Sequence, residues 1–243
     1  VPMKNGTIVN DFRIRQSLET IKKLLENDNK IIIVSHLGRP TEGVYDESLS
    51  LKPICKYLSE FLNRNIKFFS SYNDDIKFED YKIAMLENVR FNSGEKSCDS
   101  NLSKAYASLA DHFVFDAFGV SHRKECTTYG VSDYLKTHAG HNISNEITTI
   151  NKLINENSKP MTIIISGAKV STKLIVIKKL LDKCDFMILG GGILNTFLKA
   201  KGNEIGKSLY EKELVKEAES ILNSTLASKI VLPSDLTCES NAE

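Results

Sequence analysis

The sequence predicts an α/β protein built on parallel sheets, and three observations predict it. Short apolar runs rich in β-branched residues alternate with longer segments whose apolar residues recur at helical spacing, the pattern of βαβ units. The alternation breaks at Asn157-Ser158-Lys159-Pro160 and then starts again, so the strands fall into two sets. A chain of 243 residues has room for one large domain or two smaller ones, at roughly 150 residues per domain.

In chain order, Asp11 to Glu26 carries Ile14, Leu18, Ile21, Leu24 and Leu25 at helical spacing. Lys30 to Val34 is a continuous β-branched run of the kind buried in a parallel sheet. Leu51 to Leu62 reads as a helix, Ile66 to Phe69 and Ile83 to Leu86 as strands, Leu102 to Leu109 as a helix and Phe113 to Phe115 as a strand. Asn145 to Asn155 reads as a helix with a polar face, placed between the two sets, so a domain boundary is expected there. In the second set Met161 to Ile165, Phe186 to Leu189 and Lys229 to Leu232 read as strands. Thr172 to Leu181, Ile193 to Ala200 and Lys212 to Leu226 read as helices.

Composition removes several function classes. Lysine and arginine total 32 against 31 aspartates and glutamates, a net charge of +1, whereas a nucleic-acid binder usually shows a basic excess. Apolar runs such as Ile31 to Val34 fall far short of the roughly 18 residues of a membrane span. No apolar segment follows Val1-Pro2-Met3-Lys4, so no leader peptide is expected. The five cysteines are scattered and never in C-x-x-C spacing, which disfavours a disulfide framework or a zinc site and makes a cytoplasmic location the default. The chain opens on Val1 and closes on Asn241-Ala242-Glu243 soon after a strand-like run, which reads as part of a longer protein.

The arginines point to chemistry. There are six, Arg13, Arg15, Arg39, Arg64, Arg90 and Arg123, and all positive charge after position 123 is lysine. Where lysine replaces arginine wherever it can, the surviving arginines mark places that need a planar two-pronged cation; Arg15 and Arg64 fit a surface role. Three others follow strands: Ile31-Ile32-Ile33-Val34 runs into Ser35-His36-Leu37-Gly38-Arg39-Pro40, Ile83 to Leu86 into Glu87-Asn88-Val89-Arg90-Phe91, and Phe113 to Phe115 into Asp116-Ala117-Phe118-Gly119-Val120-Ser121-His122-Arg123. The carboxyl ends of parallel strands share one edge of a sheet, where ligands bind. Arg39, Arg90, Arg123 and His36, joined by Arg13, would converge there on a small polyanion such as a phosphorylated carboxylate. A single arginine of this kind is more often a structural ion pair; the set together reads as an anion site. His36 and His122 are evenly balanced between ligand and bystander, and His112, His138 and His141 read as surface or satisfied residues.

The second half carries a different apparatus. Met161 to Ile165 runs into Ser166-Gly167-Ala168-Lys169-Val170-Ser171-Thr172-Lys173 and a helix, and the next strand ends in Gly190-Gly191-Gly192 before another. Glycine lets backbone amides approach a phosphate, and a helix N-terminus adds about half a positive charge. Lys169 and Lys173, four apart, are expected on one face of the first helical turns. Two such junctions side by side form a nucleotide cradle. Gly202-Asn203-Glu204-Ile205-Gly206-Lys207-Ser208 has one residue too few between its glycines for a P-loop and follows a helix. Gly190-Gly191-Gly192 lacks the G-x-G-x-x-G spacing of dinucleotide folds.

These motifs, in this order, resemble those of the phosphoglycerate kinase family: Ser35 to Pro40, Leu86 to Phe91, Asp116 to Gly119 with His122-Arg123, and Gly167 to Val170. Gly190 to Gly192 with Asn195-Thr196-Phe197, Gly206-Lys207-Ser208-Leu209 and Leu232-Pro233-Ser234-Asp235 extend the resemblance along essentially the whole chain. It implies two doubly wound parallel-sheet domains joined by a hinge helix, the second incomplete: a 3-phosphoglycerate domain over 1–142, a hinge helix over 143–159 and part of a nucleotide-binding domain over 160–243. The implied reaction is reversible phosphoryl transfer between 1,3-bisphosphoglycerate and ADP, giving 3-phosphoglycerate and ATP, by a monomer. The resemblance gives Arg13, His36, Leu37, Gly38, Arg39, Arg90 and Arg123 to the triose, and Gly167, Ala168, Lys169, Lys173, Gly190 and Gly191 to the nucleotide. It further assigns Arg13 and Lys169 to the transferring group. Mg²⁺ would arrive on the nucleotide, with its protein ligand outside these residues.

The sequence departs from the family pattern in places. The R-x-D-x-N segment that contributes to the triose site and the Gly-Gly-Gly-Asp loop that handles the metal are not in it, and Ser166 stands where glycine is usual. The segment alone is therefore expected to be inactive. The alternatives are a non-catalytic sugar-phosphate or nucleotide-binding protein of the same fold and, disfavoured by the glycine spacing, an NAD-type oxidoreductase.

Overall fold

The computed structural model describes residues 1–4, 6–155 and 159–237. Asn157 and Ser158 of the expected break, Cys238 and the closing Asn241-Ala242-Glu243 lie outside the described residues. The chain divides into two compact units, Val1–Thr149 and Ile150–Glu243, and the division falls inside the segment expected as a hinge.

The first unit opens with an antiparallel hairpin of β1 (Met3–Lys4) and β2 (Thr7–Ile8). Its parallel sheet has the order β3-β5-β4, with β3 at Ile31–Ile33, β4 at Ile66–Phe69 and β5 at Ile83–Leu86. Every residue of the central β5 is buried, because both faces of the sheet are covered. Ile83 and Met85 pack with Ile14, Leu18 and Ile21 of α1 (Phe12–Glu26) and with Ile54, Cys55 and Leu58 of α2 (Lys52–Leu62). Leu86 packs instead with Leu102, Tyr106 and Ala107 of α3 (Ser100–Ala107). That alternation along one strand is the doubly wound arrangement read residue by residue. A second parallel pair joins β6 (His112–Phe115) to β7 (Lys136–Ala139), and α4 (His141–Asn155) follows.

The second unit has a parallel sheet in the order β10-β9-β8, with β8 at Thr162–Ser166, β9 at Phe186–Gly190 and β10 at Ile230–Val231. One face, through Ile165, Met187 and Leu189, meets a core with α5 (Leu174–Leu181), α6 (Gly191–Ala200) and α7 (Val215–Leu222), centred on the fully buried Phe197. The alternate residues Ile164, Ile188 and Val231 lie in one row on the other face and are exposed.

Several boundaries differ from the expected ones, most of them at a cap or a turn. The α3 helix starts at Ser100 because the Asp99 carboxylate accepts from the Leu102 amide at 2.9 Å. The α4 helix starts at His141, where Asp116 accepts from the Ile143 amide at 3.1 Å. The helix expected from Thr172 starts at Leu174, since Val170 to Lys173 form a turn in which the Lys173 amide donates to the Val170 carbonyl at 2.8 Å. The helix expected over 212–226 is a 3₁₀ turn at Lys212–Leu214 followed by the shorter α7. The hairpin and β7 were not foreseen: β7 is exposed at every position, so no apolar run announces it. Cys55, Cys98, Cys126 and Cys184 are free thiols, and no helix of the described residues is long and apolar enough to cross a membrane.

Candidate functional site

In the first unit the site is organised by the end of β5. Glu87 is buried and accepts from the Ser50 hydroxyl at 2.7 Å and from the Leu51 and Asn88 amides, both at 2.8 Å. Asn88, 1% exposed, donates to the carbonyls of Leu37 at 2.8 Å and Leu49 at 3.0 Å, and accepts from the Arg90 amide at 3.1 Å. Asn88 thus pins the loop that carries His36 to Arg39 through the Leu37 carbonyl, while Glu87 holds the chain at the start of α2. Gly38 is at φ +64°, a left-handed conformation that favours glycine, and the end of the Leu49 side chain lies 2.6 Å from where a Cβ would sit.

Arg13, His36, Leu37 and Gly38 line one cleft of about 520 Å³. Arg90 is tied to that loop: it is 4% exposed and donates from Nη1 to the Gly38 carbonyl at 3.0 Å. Its Nη2 meets both oxygens of the buried Glu125 at 3.2 and 3.3 Å, and Arg123 Nη1 meets the same carboxylate at 3.3 Å. Two guanidiniums therefore share one carboxylate, and the Nε of each is buried without a partner. Arg90 is buried and Arg123 about a third exposed, so each Nε is a donor able to take one further acceptor. Burial first, then the Arg90 guanidinium, pushes the His36 pKa down to about 4, so its ring is neutral near pH 7 and can both donate and accept. Arg13 and Arg39 are exposed and pair with no described residue. The sequence-derived set is thus linked from the cleft through Gly38 to Arg90, Glu125 and Arg123. His122 is exposed and takes no part in these contacts.

In the second unit the two glycine junctions pack directly on each other. Ser166 pairs in register with Gly190, and the Ile193 amide donates to the Gly167 carbonyl at 3.1 Å. Gly191 is at φ +62°, with space for a Cβ closed by the Gly167 carbonyl oxygen at 2.9 Å, and a Cβ on Gly192 would land on the Ala168 carbonyl. A Cβ on Gly167 would meet the Lys173 ammonium at 3.1 Å, so the bare glycine leaves room for that cation. Because α5 starts only at Leu174, Lys169 and Lys173 lie in the turn before the helix, and the expected shared helical face does not form. Glu211 fixes that turn, accepting from the Ser171 amide at 2.8 Å and its hydroxyl at 2.6 Å; the hydroxyl bond keeps the Glu211 carboxyl below its usual range. Lys169 remains exposed. The Gly202 to Ser208 segment follows α6, as a P-loop would not.

No three histidine, cysteine or acidic side chains gather into a metal-holding cluster among the described residues.

The chain matches the phosphoglycerate kinase family model over residues 1–243. This chain belongs to the phosphoglycerate kinase family. It is 47% identical over 234 residues to the phosphoglycerate kinase of Francisella tularensis subsp. novicida, covering 96% of this chain and 60% of that protein. The solved phosphoglycerate kinase of Coxiella burnetii is similar with a TM-score of 0.84 at 41% identity, over 96% of this chain and 60% of that one. The enzyme of Pyrococcus horikoshii OT3 follows at 0.80 and 27%, over 96% of this chain and 62% of that one. The chain thus spans about 60% of the length of the curated relatives it matches.

Within this family member, sequence reasoning left out the acids. Glu87, Glu95, Glu125 and Glu211 were given no role, yet Glu87 and Glu211 position the loops and Glu125 sits between the arginines. The available signal was proximity: Glu125 lies two residues beyond Arg123, in the same strand-end segment.

Proposed function

We propose that this chain carries the triose-binding unit and part of the nucleotide-binding unit of a glycolytic kinase that transfers a phosphoryl group reversibly between 1,3-bisphosphoglycerate and ADP. What carries the reading is that a chain of this family sets its arginines at the strand ends of one compact unit and its glycine–lysine junctions at those of the other. Arg13, His36, Leu37, Gly38, Arg39, Arg90 and Arg123 are assigned to 3-phosphoglycerate, and Gly167, Ala168, Lys169, Lys173, Gly190 and Gly191 to the nucleotide. The division into 1–142, a hinge at 143–159 and 160–243 belongs to the same reading, as do a cytoplasmic location and a monomeric state.

The chemistry asks for charge neutralisation rather than a general base, because the attacking phosphate or carboxylate oxygen is already nucleophilic. Arg90 and Arg123 supply fixed donors, and neutral His36 supplies a further donor or acceptor without adding charge. Lys169 and Arg13 are assigned to the transferring group, where a cation counts most as charge spreads over the equatorial oxygens. Mg²⁺, when bound with nucleotide, neutralises phosphate charge. The 243-residue polypeptide by itself is proposed to bind these ligands without turning them over.

A coupled assay of the full-length enzyme tests the assignment. Lys169→Ala is expected to lower kcat by about 10²–10³ while nucleotide affinity changes little. A kcat within a few-fold of the parent, with only KM raised, would move Lys169 to ground-state binding. Tight binding of both ligands with no turnover by the full-length parent would favour the non-catalytic reading.

A further inference from the structure

Behind the paired arginines lies a carboxyl group that the proposed function does not use. Glu95 is 0% exposed. Its Oε1 accepts from the Thr127 amide at 3.1 Å and the Thr127 hydroxyl at 2.5 Å, while Oε2 has no partner among the described residues. Its main-chain carbonyl also accepts from the Cys126 amide at 2.9 Å. Glu95 therefore grips the two residues that follow Glu125. Thr128 closes the other side of the same turn, accepting from the Glu125 amide at 3.1 Å and donating to the Arg123 carbonyl at 2.7 Å. The turn that aims Arg123 and Glu125 is anchored on one buried acid.

An acid so placed holds a proton more firmly than one in water. Burial pushes the Glu95 pKa up to about 7, with Glu125 adding to the rise and the Thr127 bonds and Arg90 opposing it. The other titratable groups near it are Tyr106 on α3 and Cys126 on the turn, which burial pushes further into their neutral forms, and Cys98 in the segment before α3. Arg90 and Arg123 against Glu125 leave one net positive charge while Glu95 is protonated, and none once it ionises.

We propose that Glu95 is a positioning residue for the anion site: it anchors the turn that carries Arg123 and Glu125, and by holding or releasing one proton it sets the net charge that an incoming oxyanion meets. The proposal rests on reading the arginine cluster as the triose-phosphate site. An anion bound nearby makes ionisation of Glu95 harder, so binding takes up a proton and affinity falls as the pH rises through 7.

Calorimetric titration of the 243-residue chain with sulfate, whose own charge is constant from pH 6 to 8, tests this. The parent Kd is expected to rise by about threefold to fivefold across that range, fivefold corresponding to one pKa unit of coupling from a midpoint near 7. Glu95→Gln keeps an acceptor for Thr127 and stays neutral, so its Kd is expected to remain at the parent's pH 6 value throughout. Thr127→Val removes one bond to the ionised form and is expected to move the midpoint of the parent's slope to higher pH. A Glu95→Gln variant that keeps the parent's slope, or a Thr127→Val variant with an unmoved midpoint, overturns the proposal. Titration with 3-phosphoglycerate at a single pH separates the two readings. If it binds no more tightly than sulfate while Glu95→Gln flattens the slope, the triose reading fails and the role of Glu95 stands. If it binds selectively and the slope is unchanged in Glu95→Gln, the role of Glu95 fails and the triose reading stands.

Discussion

Arg39 and Arg90 come from strand ends with the same motif logic, yet a lysine at each position has different consequences. Arg39 is exposed and pairs with no described residue, so Arg39→Lys keeps the charge, loses the two-pronged geometry and touches nothing structural. It is expected to weaken 3-phosphoglycerate binding by about tenfold or more, one charge-assisted bond being worth roughly 1.5–3 kcal/mol, with an unchanged urea midpoint. Arg90 is buried on Glu125 and the Gly38 carbonyl, and one ammonium cannot reproduce both contacts. Arg90→Lys is therefore expected to lower stability by about 1–3 kcal/mol as well; a parent-like urea midpoint would show that the buried pair holds little. His36 gives a second check at this scale. The native ring loses its proton at about 4 and an unfolded one at 6.5, so the stability it contributes is present above pH 6.5 and is lost as the pH falls toward 4. An NMR titration is expected to place the His36 midpoint below 5; a midpoint near 6.5 would mean the ring is neither buried nor crowded by Arg90.

At the scale of elements, the two glycine junctions of the second unit are expected to behave as one object. Gly192→Ala drives a methyl group onto the Ala168 carbonyl of the neighbouring junction, so it is expected to loosen ADP binding by at least about tenfold and to lower stability by about 1–3 kcal/mol, the usual cost of overpacking. Parent-like ADP affinity in a folded Gly192→Ala protein would mean that the junctions do not jointly hold phosphate. Strands β3, β5, β8 and β9 were legible in the sequence because each is apolar over most of its length, with glycine or arginine soon after it. What was not legible depends on partners distant in sequence. Lys136-Thr137-His138-Ala139 becomes a strand only because β6 lies beside it, and the turn before α5 is held by Glu211, forty residues away. Glu95 escaped for the same reason: an isolated acid in a mixed-charge loop has no spacing to betray it, and its meaning comes from Thr127 bonded to it, while Glu125 offered only its closeness to Arg123.

For the whole molecule, the central proposal is a division of labour, with triose phosphate assigned to the first compact unit and nucleotide to the second. Both units set their assigned residues beyond the carboxyl ends of parallel strands, the first after β3 and β5 of one sheet and β6 of another, the second after β8 and β9 of one sheet. The first carries guanidiniums there and the second bare glycines and lysines. In the first unit helices cover both faces of the sheet. In the second, Ile164, Ile188 and Val231 remain exposed, in a chain spanning about 60% of the length of its relatives. The most direct test is a pair of amide-shift titrations on the isotope-labelled 243-residue chain, one with 3-phosphoglycerate and one with ADP. The expected result is that 3-phosphoglycerate moves signals of Arg13, His36 to Arg39, Arg90 and Arg123 while ADP moves those of Gly167 to Lys173 and Gly190 to Gly192. Both ligands shifting the same unit, or 3-phosphoglycerate leaving the arginine set unmoved, would contradict it.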